Sequence, residues 1–298
     1  MDRKNILKKI IENKIKNPYT EAKTIRQLRK ETEITGSLIP IPKNTKYQRV
    51  VVGNVYAEWI ICGEVNENKI FMFMHGGGYY RGSVAATRAI VARISAEAKV
   101  KCLSIDYRLA PEHPFPAAMD DTFLAYEWLI NEGISPKDII VSGQSAGGGL
   151  CLALLLKIKE KNISQPLGAV ALSPWTDLSQ SGKTMVTNEK IDPIISKKYL
   201  DRFAKLYFPD LNNMSHLASP IIGELSGLPD ILIQVGSAET MLDDSRRFYE
   251  KARKANVNVK LEIWENMFHG WHSNAHILND ADRAVKCIGT FCRKLLKV

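Results

Sequence analysis

The sequence predicts an α/β protein whose mostly parallel, eight-stranded sheet carries helices on both faces. Three observations predict it. From Tyr47 onward, short β-branched runs alternate with longer stretches of helical periodicity. The chain has 298 residues, 45% of them apolar, so it can bury a large core without disulfides or a structural metal. No internal repeat or low-complexity linker divides it, so the alternation belongs to one body with embellishments.

Residues 1 to about 30 carry two helical patterns, broken at Asn17-Pro18, and Ile6, Ile10, Ile11 and Ile15 form an apolar stripe at helical spacing. Residues 49–52 and 56–62 read as two strands joined across the Gly53-Asn54 turn. A third strand over 69–74 is followed by a helix over 84–98, and a fourth over 100–105 by a helix over 117–131. The fifth strand, 138–142, runs into a helix over 146–160. Residues 167–172, 230–235 and 259–264 complete the strands, with the last at the expected sheet edge. The rhythm breaks once: between Leu172 and Asp230 the pattern offers one clear helix, 196–207. A segment that long outside the rhythm reads as a functional insertion, here the second piece of a lid begun by the N-terminal helices.

The formal charge is +9, from 41 Lys plus Arg against 32 Asp plus Glu. The basic residues are scattered and not interleaved with aromatics, so the charge reads as a solvated surface rather than a nucleic-acid groove. Five cysteines with no CxxC pair argue against metal binding and for free thiols in a reduced, cytoplasmic protein. The amphipathic start lacks the apolar core of a secretory signal. The longest apolar run, 150–156, is far short of the ~20 residues a membrane span needs.

The chemistry concentrates in Gly143-Gln144-Ser145-Ala146-Gly147, between the strand Ile139-Ile140-Val141 and an Ala/Leu-rich helix. A Ser at so tight a strand-to-helix turn is exposed at the positive end of the helix dipole, and flanking glycines avoid the clash. About seventy residues earlier, His75-Gly76-Gly77-Gly78 follows the third strand. Successive glycines leave backbone N–H groups, Gly77 and Gly78 among them, free to converge on one developing negative charge. His75 is expected to hold that loop, since it precedes the elbow in an order where the base comes last.

A nucleophilic Ser needs a base. His269, in Glu265-Asn266-Met267-Phe268-His269-Gly270-Trp271 past the last strand, is the candidate. His272 and His276 read as part of an ensuing surface helix, and His113, between Glu112 and Pro114, as structural. The orienting carboxylate lies among Glu239, Asp243 and Asp244, after the strand ending at Val235. Glu239 falls in the loop, whereas Asp243 and Asp244 suit the first turn of a helix running toward Lys254.

These motifs together resemble the hormone-sensitive-lipase-like branch of the α/β hydrolases, a group of microbial carboxylesterases. The resemblance rests on His-Gly-Gly-Gly at 75–78 and on Asp106-Tyr107-Arg108-Leu109-Ala110-Pro111-Glu112 with its continuation through Ala118. The elbow at 143–147 and Ser173-Pro174-Trp175-Thr176-Asp177 also match, so the likeness covers about residues 45–298. It implies an α/β-hydrolase fold with a helical cap: N-terminal cap helices in 1–45, core in 46–177, cap insertion in 178–215 and core again in 216–298. It implies Ser145 as nucleophile, His269 as base, and Gly77, Gly78 and Ala146 as oxyanion-hole donors. The branch often places its acid, commonly an Asp, about thirty residues before the base. That position here is Glu239. The implied substrates are short-chain acyl esters, with Phe203, Tyr207 and Phe208 lining the cap. No cofactor or metal is implied, and a homodimer is. An amide-cleaving enzyme with the same triad and a non-catalytic receptor on the same scaffold are the alternatives.

Overall fold

The computed structural model describes residues 23–298 together with residues 5, 8, 9 and 12. The apolar stripe at Ile6, Ile10, Ile11 and Ile15 and the break at Asn17-Pro18 lie outside the described residues. Eight strands form one sheet: β1 (Thr45–Val52), β2 (Val55–Cys62), β3 (Asn66–Met74), β4 (Val100–Asp106), β5 (Ile139–Gln144), β6 (Gly168–Leu172), β7 (Asp230–Gly236) and β8 (Val259–Trp264). Their order is β1-β2-β4-β3-β5-β6-β7-β8. The hairpin β1–β2 pairs antiparallel, β2 pairs antiparallel with β4, and every other pairing is parallel.

The eight described α-helices are α1 (Ile25–Ser37), α2 (Val84–Ala98), α3 (Ala117–Asn131), α4 (Ala146–Glu160), α5 (Thr184–Thr187), α6 (Lys197–Tyr207), α7 (Leu242–Lys254) and α8 (Asn279–Leu296). Alternation along each strand sends side chains to two cores. Phe71, Phe73, Ile140 and Val170 meet α2 and α8 on one face. Met72, Met74, Val141 and Ala169 meet α3 and α4 on the other. All seven residues of the run 150–156 are buried, which is why α4 reads as apolar all round.

Three boundaries differ from the sequence reading. Helix α1 runs to Ser37 instead of ending near Lys30. Thr24 and Gln27 cap it reciprocally, and the Thr32, Thr35 and Ser37 hydroxyls bond back onto carbonyls of the preceding turn. Its Thr-Gly-Ser end looks like a turn in sequence, but Gly36 lies so close to α2 that a Cβ there would be 2.5 Å from Ala86 Cα. Strands β1 and β3 start earlier than read, at Thr45 and Asn66, because pairing with β2 and β4 recruits polar residues. The stretch between β6 and β7 holds, besides α6, the short α5 and 3-10 turns at Leu211–Asn213 and Pro220–Ile222. Among the described residues no helix is long and apolar enough to cross a membrane.

Candidate active site

Register aligns the strands that carry the motifs. Met74 pairs with Gly143, Gln144 with Leu172, Leu172 with Gln234 and Gly236 with Trp264. The loops after β3, β5, β6, β7 and β8 therefore leave the sheet side by side at its carboxyl edge, where open α/β sheets form clefts.

Ser145 stands between β5 and α4 with φ 58° and ψ −120°, a left-handed conformation for a residue with a side chain. The turn is tight enough that a Cβ on Gly147 would lie 2.2 Å from Met74 O, so only glycine lets the elbow rest against the end of β3. His269 Nε2 accepts from the Ser145 hydroxyl at 2.9 Å, and His269 Nδ1–H donates to Glu239 Oε2 at 2.8 Å. Glu239 is fully buried and His269 is 8% exposed. Of the three carboxylates left open by sequence, Glu239 is the one that meets the imidazole.

Asp243 and Asp244 both occupy the first turn of α7, and they also pin the segment leading away from β6. Asp243 Oδ2 accepts from the Thr184 N–H at 3.2 Å, and Asp244 Oδ2 from the Thr176 and Asp177 N–H groups, both at 2.9 Å. Burial and the neighbouring Asp177 carboxylate push Asp244 up to about 8. Asp177 is held below the usual carboxylate range despite its own burial, by hydrogen bonds from Ser179 and Ser181 and by Arg247.

Gly77 and Gly78 lie in the loop after β3, and Ala146 opens α4. Gly77 has φ +125°, and a Cβ there would sit 2.2 Å from Arg81 O. The same loop abuts the elbow, since a Cβ on Gly76 would be 3.2 Å from Ser145 Cβ. His75 is buried beneath the loop: Nδ1–H donates to Gly76 O at 2.8 Å, and the ring stacks on Tyr107 at 4.2 Å. Burial lowers its pKa below the usual imidazole value. From α1, Arg29 Nε–H donates to Tyr80 O at 2.8 Å, and the guanidinium grips Glu112 and Ala110 O. The sequence gives no site role to Arg29, nor to Ser173, whose hydroxyl donates to Glu239 Oε1 at 2.7 Å. For Ser173 the available signal was its place in the motif at 173–177.

His272 and His276 depart from the reading as helix residues. His272 is fully buried in the 3-10 turn Trp271–Asn274, bonded through Nε2–H to Gln234 Oε1 at 3.0 Å. The surface helix begins only at Asn279, past both histidines. Burial lowers His272 to about 3. The aromatic residues of α6 face the loop after β3: Phe203 stacks on Tyr80 at 3.8 Å and Tyr207 on Tyr79 at 3.6 Å. Phe208 packs at 5.1 Å from Phe115.

Comparison with known proteins finds a consistent set of relatives. A family model described as the α/β hydrolase fold matches residues 71–273. An acetyl-hydrolase of Streptomyces hygroscopicus is 36% identical over 244 residues, covering 82% of this chain and 81% of that protein. An esterase of Acinetobacter venetianus is 35% identical over 236 residues, covering 79% of this chain and 78% of its own. A solved esterase from the bacterial hormone-sensitive lipase family superposes with a TM-score of 0.95 at 37% identity, covering 99% of this chain and 100% of that one. A hormone-sensitive lipase from a metagenome library also reaches 0.95, at 32% identity and 99% of each chain.

Proposed function

The chain belongs to the α/β-hydrolase family, in its bacterial hormone-sensitive-lipase-like branch of serine ester hydrolases, and on that premise we propose that it cleaves short-chain acyl esters through Ser145, His269 and Glu239. The observation that carries this reading is the unbroken hydrogen-bonded line from the Ser145 hydroxyl through both ring nitrogens of His269 to Glu239. A carboxylate only accepts, so Nδ1 carries the ring proton and Nε2 is left free to take the hydroxyl proton.

In the first step His269 Nε2 takes the proton of Ser145 as Oγ attacks the ester carbonyl carbon. The carbonyl oxygen becomes an oxyanion, held by the N–H groups of Gly77, Gly78 and Ala146, each worth roughly 3 kcal/mol in comparable sites. Collapse breaks the ester C–O bond, and His269 returns the proton to the departing alcohol. Water then repeats the attack on the acyl-enzyme, with His269 as base again, releasing the acid. Glu239 keeps the imidazole in one tautomer and stabilises the imidazolium.

In this reading residues 178–215 form a cap with the described part of the N-terminal segment, residues 23–45; the rest of the expected 1–45 cap lies outside the described residues. The support for this cap is the stacking of Phe203 and Tyr207 on Tyr80 and Tyr79, which ties α6 to the loop after β3. Pairing across the open edge of β8 makes the working form a homodimer, since an unpaired strand edge recruits a second one.

The deciding experiment is a series of p-nitrophenyl esters assayed with the wild type and Ser145→Ala. Removing a triad nucleophile lowers kcat by about 10⁶ while the fold is kept. Near-wild-type turnover in a folded Ser145→Ala would refute the mechanism. A matched anilide cleaved as readily as the ester would reassign the enzyme to amide substrates.

A further inference from the structure

Glu239 is a fully buried carboxylate met by three donors. His269 Nδ1–H reaches Oε2 at 2.8 Å, while Oε1 accepts from the Ser173 hydroxyl at 2.7 Å and from the Gly236 N–H at 2.6 Å. An anion shut away from water depends on such donors, and charge-assisted bonds of this kind are the strong ones. Ser173, itself fully buried, follows β6 with φ +46°, a left-handed conformation that residues with side chains seldom adopt. Its own N–H donates to Gln234 O at 2.7 Å. Strain of this sort persists only where the surroundings enforce it, and it directs attention to what the residue does.

The neighbours of Ser173 hold the nucleophile. Leu172 O accepts from the Ser145 N–H at 2.8 Å, and the Trp175 N–H donates to Ser145 O at 3.0 Å. One short segment, residues 172–175, thus grips the backbone of Ser145 and the carboxylate of Glu239, although these belong to loops after different strands. Within that segment the Ser173 hydroxyl supplies the side-chain bond to the acid.

We propose that Ser173 is a positioning residue of the triad: its hydroxyl locks the Glu239 rotamer that presents Oε2 to His269, and it draws part of the carboxylate charge away from the imidazole. The proposal rests on the Ser145–His269–Glu239 mechanism above. Two consequences separate it from a merely structural role. Without the hydroxyl Glu239 turns more freely, so the line to Ser145 is aligned less often and kcat falls. The carboxylate also directs more of its charge at His269, so the imidazolium forms more easily in the free enzyme. The acid limb of kcat/KM therefore moves up.

The test compares wild type, Ser173→Ala and Ser173→Gly on p-nitrophenyl butyrate across the pH range, with Ser145→Ala alongside. Glycine tolerates the left-handed backbone, so Ser173→Gly removes the hydroxyl without the strain and remains informative if Ser173→Ala folds poorly. Both variants are expected to lose about ten- to fifty-fold in kcat, the scale of one hydrogen bond to a charged group. KM is expected to stay near the wild-type value, and the acid limb to rise by about half a pH unit. Unchanged kcat in either folded variant overturns the proposal, and so does a lowered kcat with an unmoved acid limb. Full turnover in Ser145→Ala overturns the mechanism and this proposal with it. An inactive Ser145→Ala beside unaffected Ser173 variants overturns this proposal alone.

Discussion

Glu239 and Asp243 are both carboxylates just past β7, and charge alone does not distinguish them. Geometry does. Glu239 reaches His269 at 2.8 Å, whereas Asp243 turns to the Thr184 N–H and lies 3.6 Å from Arg246. Glu239→Gln is expected to lower kcat by up to about 10⁴, because the amide offers a donor where the imidazole N–H needs an acceptor. Asp243→Asn loses one charge at a helix N-terminus and should cost at most ~1 kcal/mol of stability with activity largely kept. Steady-state kinetics and urea unfolding of the two variants check this. An inactive Asp243→Asn beside an active Glu239→Gln would reverse the assignment.

At the scale of elements, helix α7 is tied to the segment after β6 through Asp244. This acid is fully buried, its Oδ1 has no partner among the described residues, and it is pushed up to about 8 by burial and by Asp177. The folded state therefore keeps a proton that the unfolded chain releases above the ordinary aspartate value. The sign follows: stability from this group is greatest at low pH and declines as pH rises toward 8. Below about 6.5 the buried His272, lowered to about 3, works in the opposite direction, because the unfolded imidazole takes up a proton that the folded one refuses. The clean window is pH 6.5 to 8, where wild-type stability should fall by up to about 2 kcal/mol. Asp244→Asn mimics the protonated acid, which ionises in neither state, so it should flatten that slope and raise stability above wild type across this window. Urea midpoints at several pH values measure both. A slope identical to wild type would remove Asp244 as its source.

For the whole molecule, two expectations follow from how the layers close. Packing of α6 against the loop after β3 places bulky rings beside the candidate site, so acyl chains of two to six carbons should be preferred. Each further methylene adds only ~0.8 kcal/mol, and only where there is room to bury it. A chain-length series measures this, and a maximum in kcat/KM at twelve carbons or more would contradict it. The second expectation concerns β8, which ends the sheet with Ile263 43% exposed. An open edge of this kind invites strand pairing. Light scattering at micromolar concentration should then give twice the 33.5 kDa chain mass. A fully active monomer would exclude the dimer as the working form.

Whatever is encoded between near neighbours was legible in the order of residues alone. Alternating periodicity marked eight strands, and the glycines around Ser145 marked a turn whose tightness depends on residues within a few positions. That order also marked His269 as the histidine just past the last strand. It misjudged the end of α1, where hydroxyls bonding back to the helix and close contact with α2 outweigh the poor propensity of Thr35-Gly36-Ser37. It likewise set His272 on a surface helix, because nothing local announces burial beside Gln234. Among the three carboxylates the resemblance pointed to Glu239, but the contact with His269 is seen only in the tertiary structure, for a spacing of a few residues does not say which side chain turns inward. Ser173 is the clearest case. It lies 66 residues from Glu239 in sequence, and the two meet only because β6 and β7 are neighbours whose loops leave the same edge of the sheet. Local chemistry writes the backbone, but which side chains converge depends on strand order and register, and those are settled by packing the whole chain.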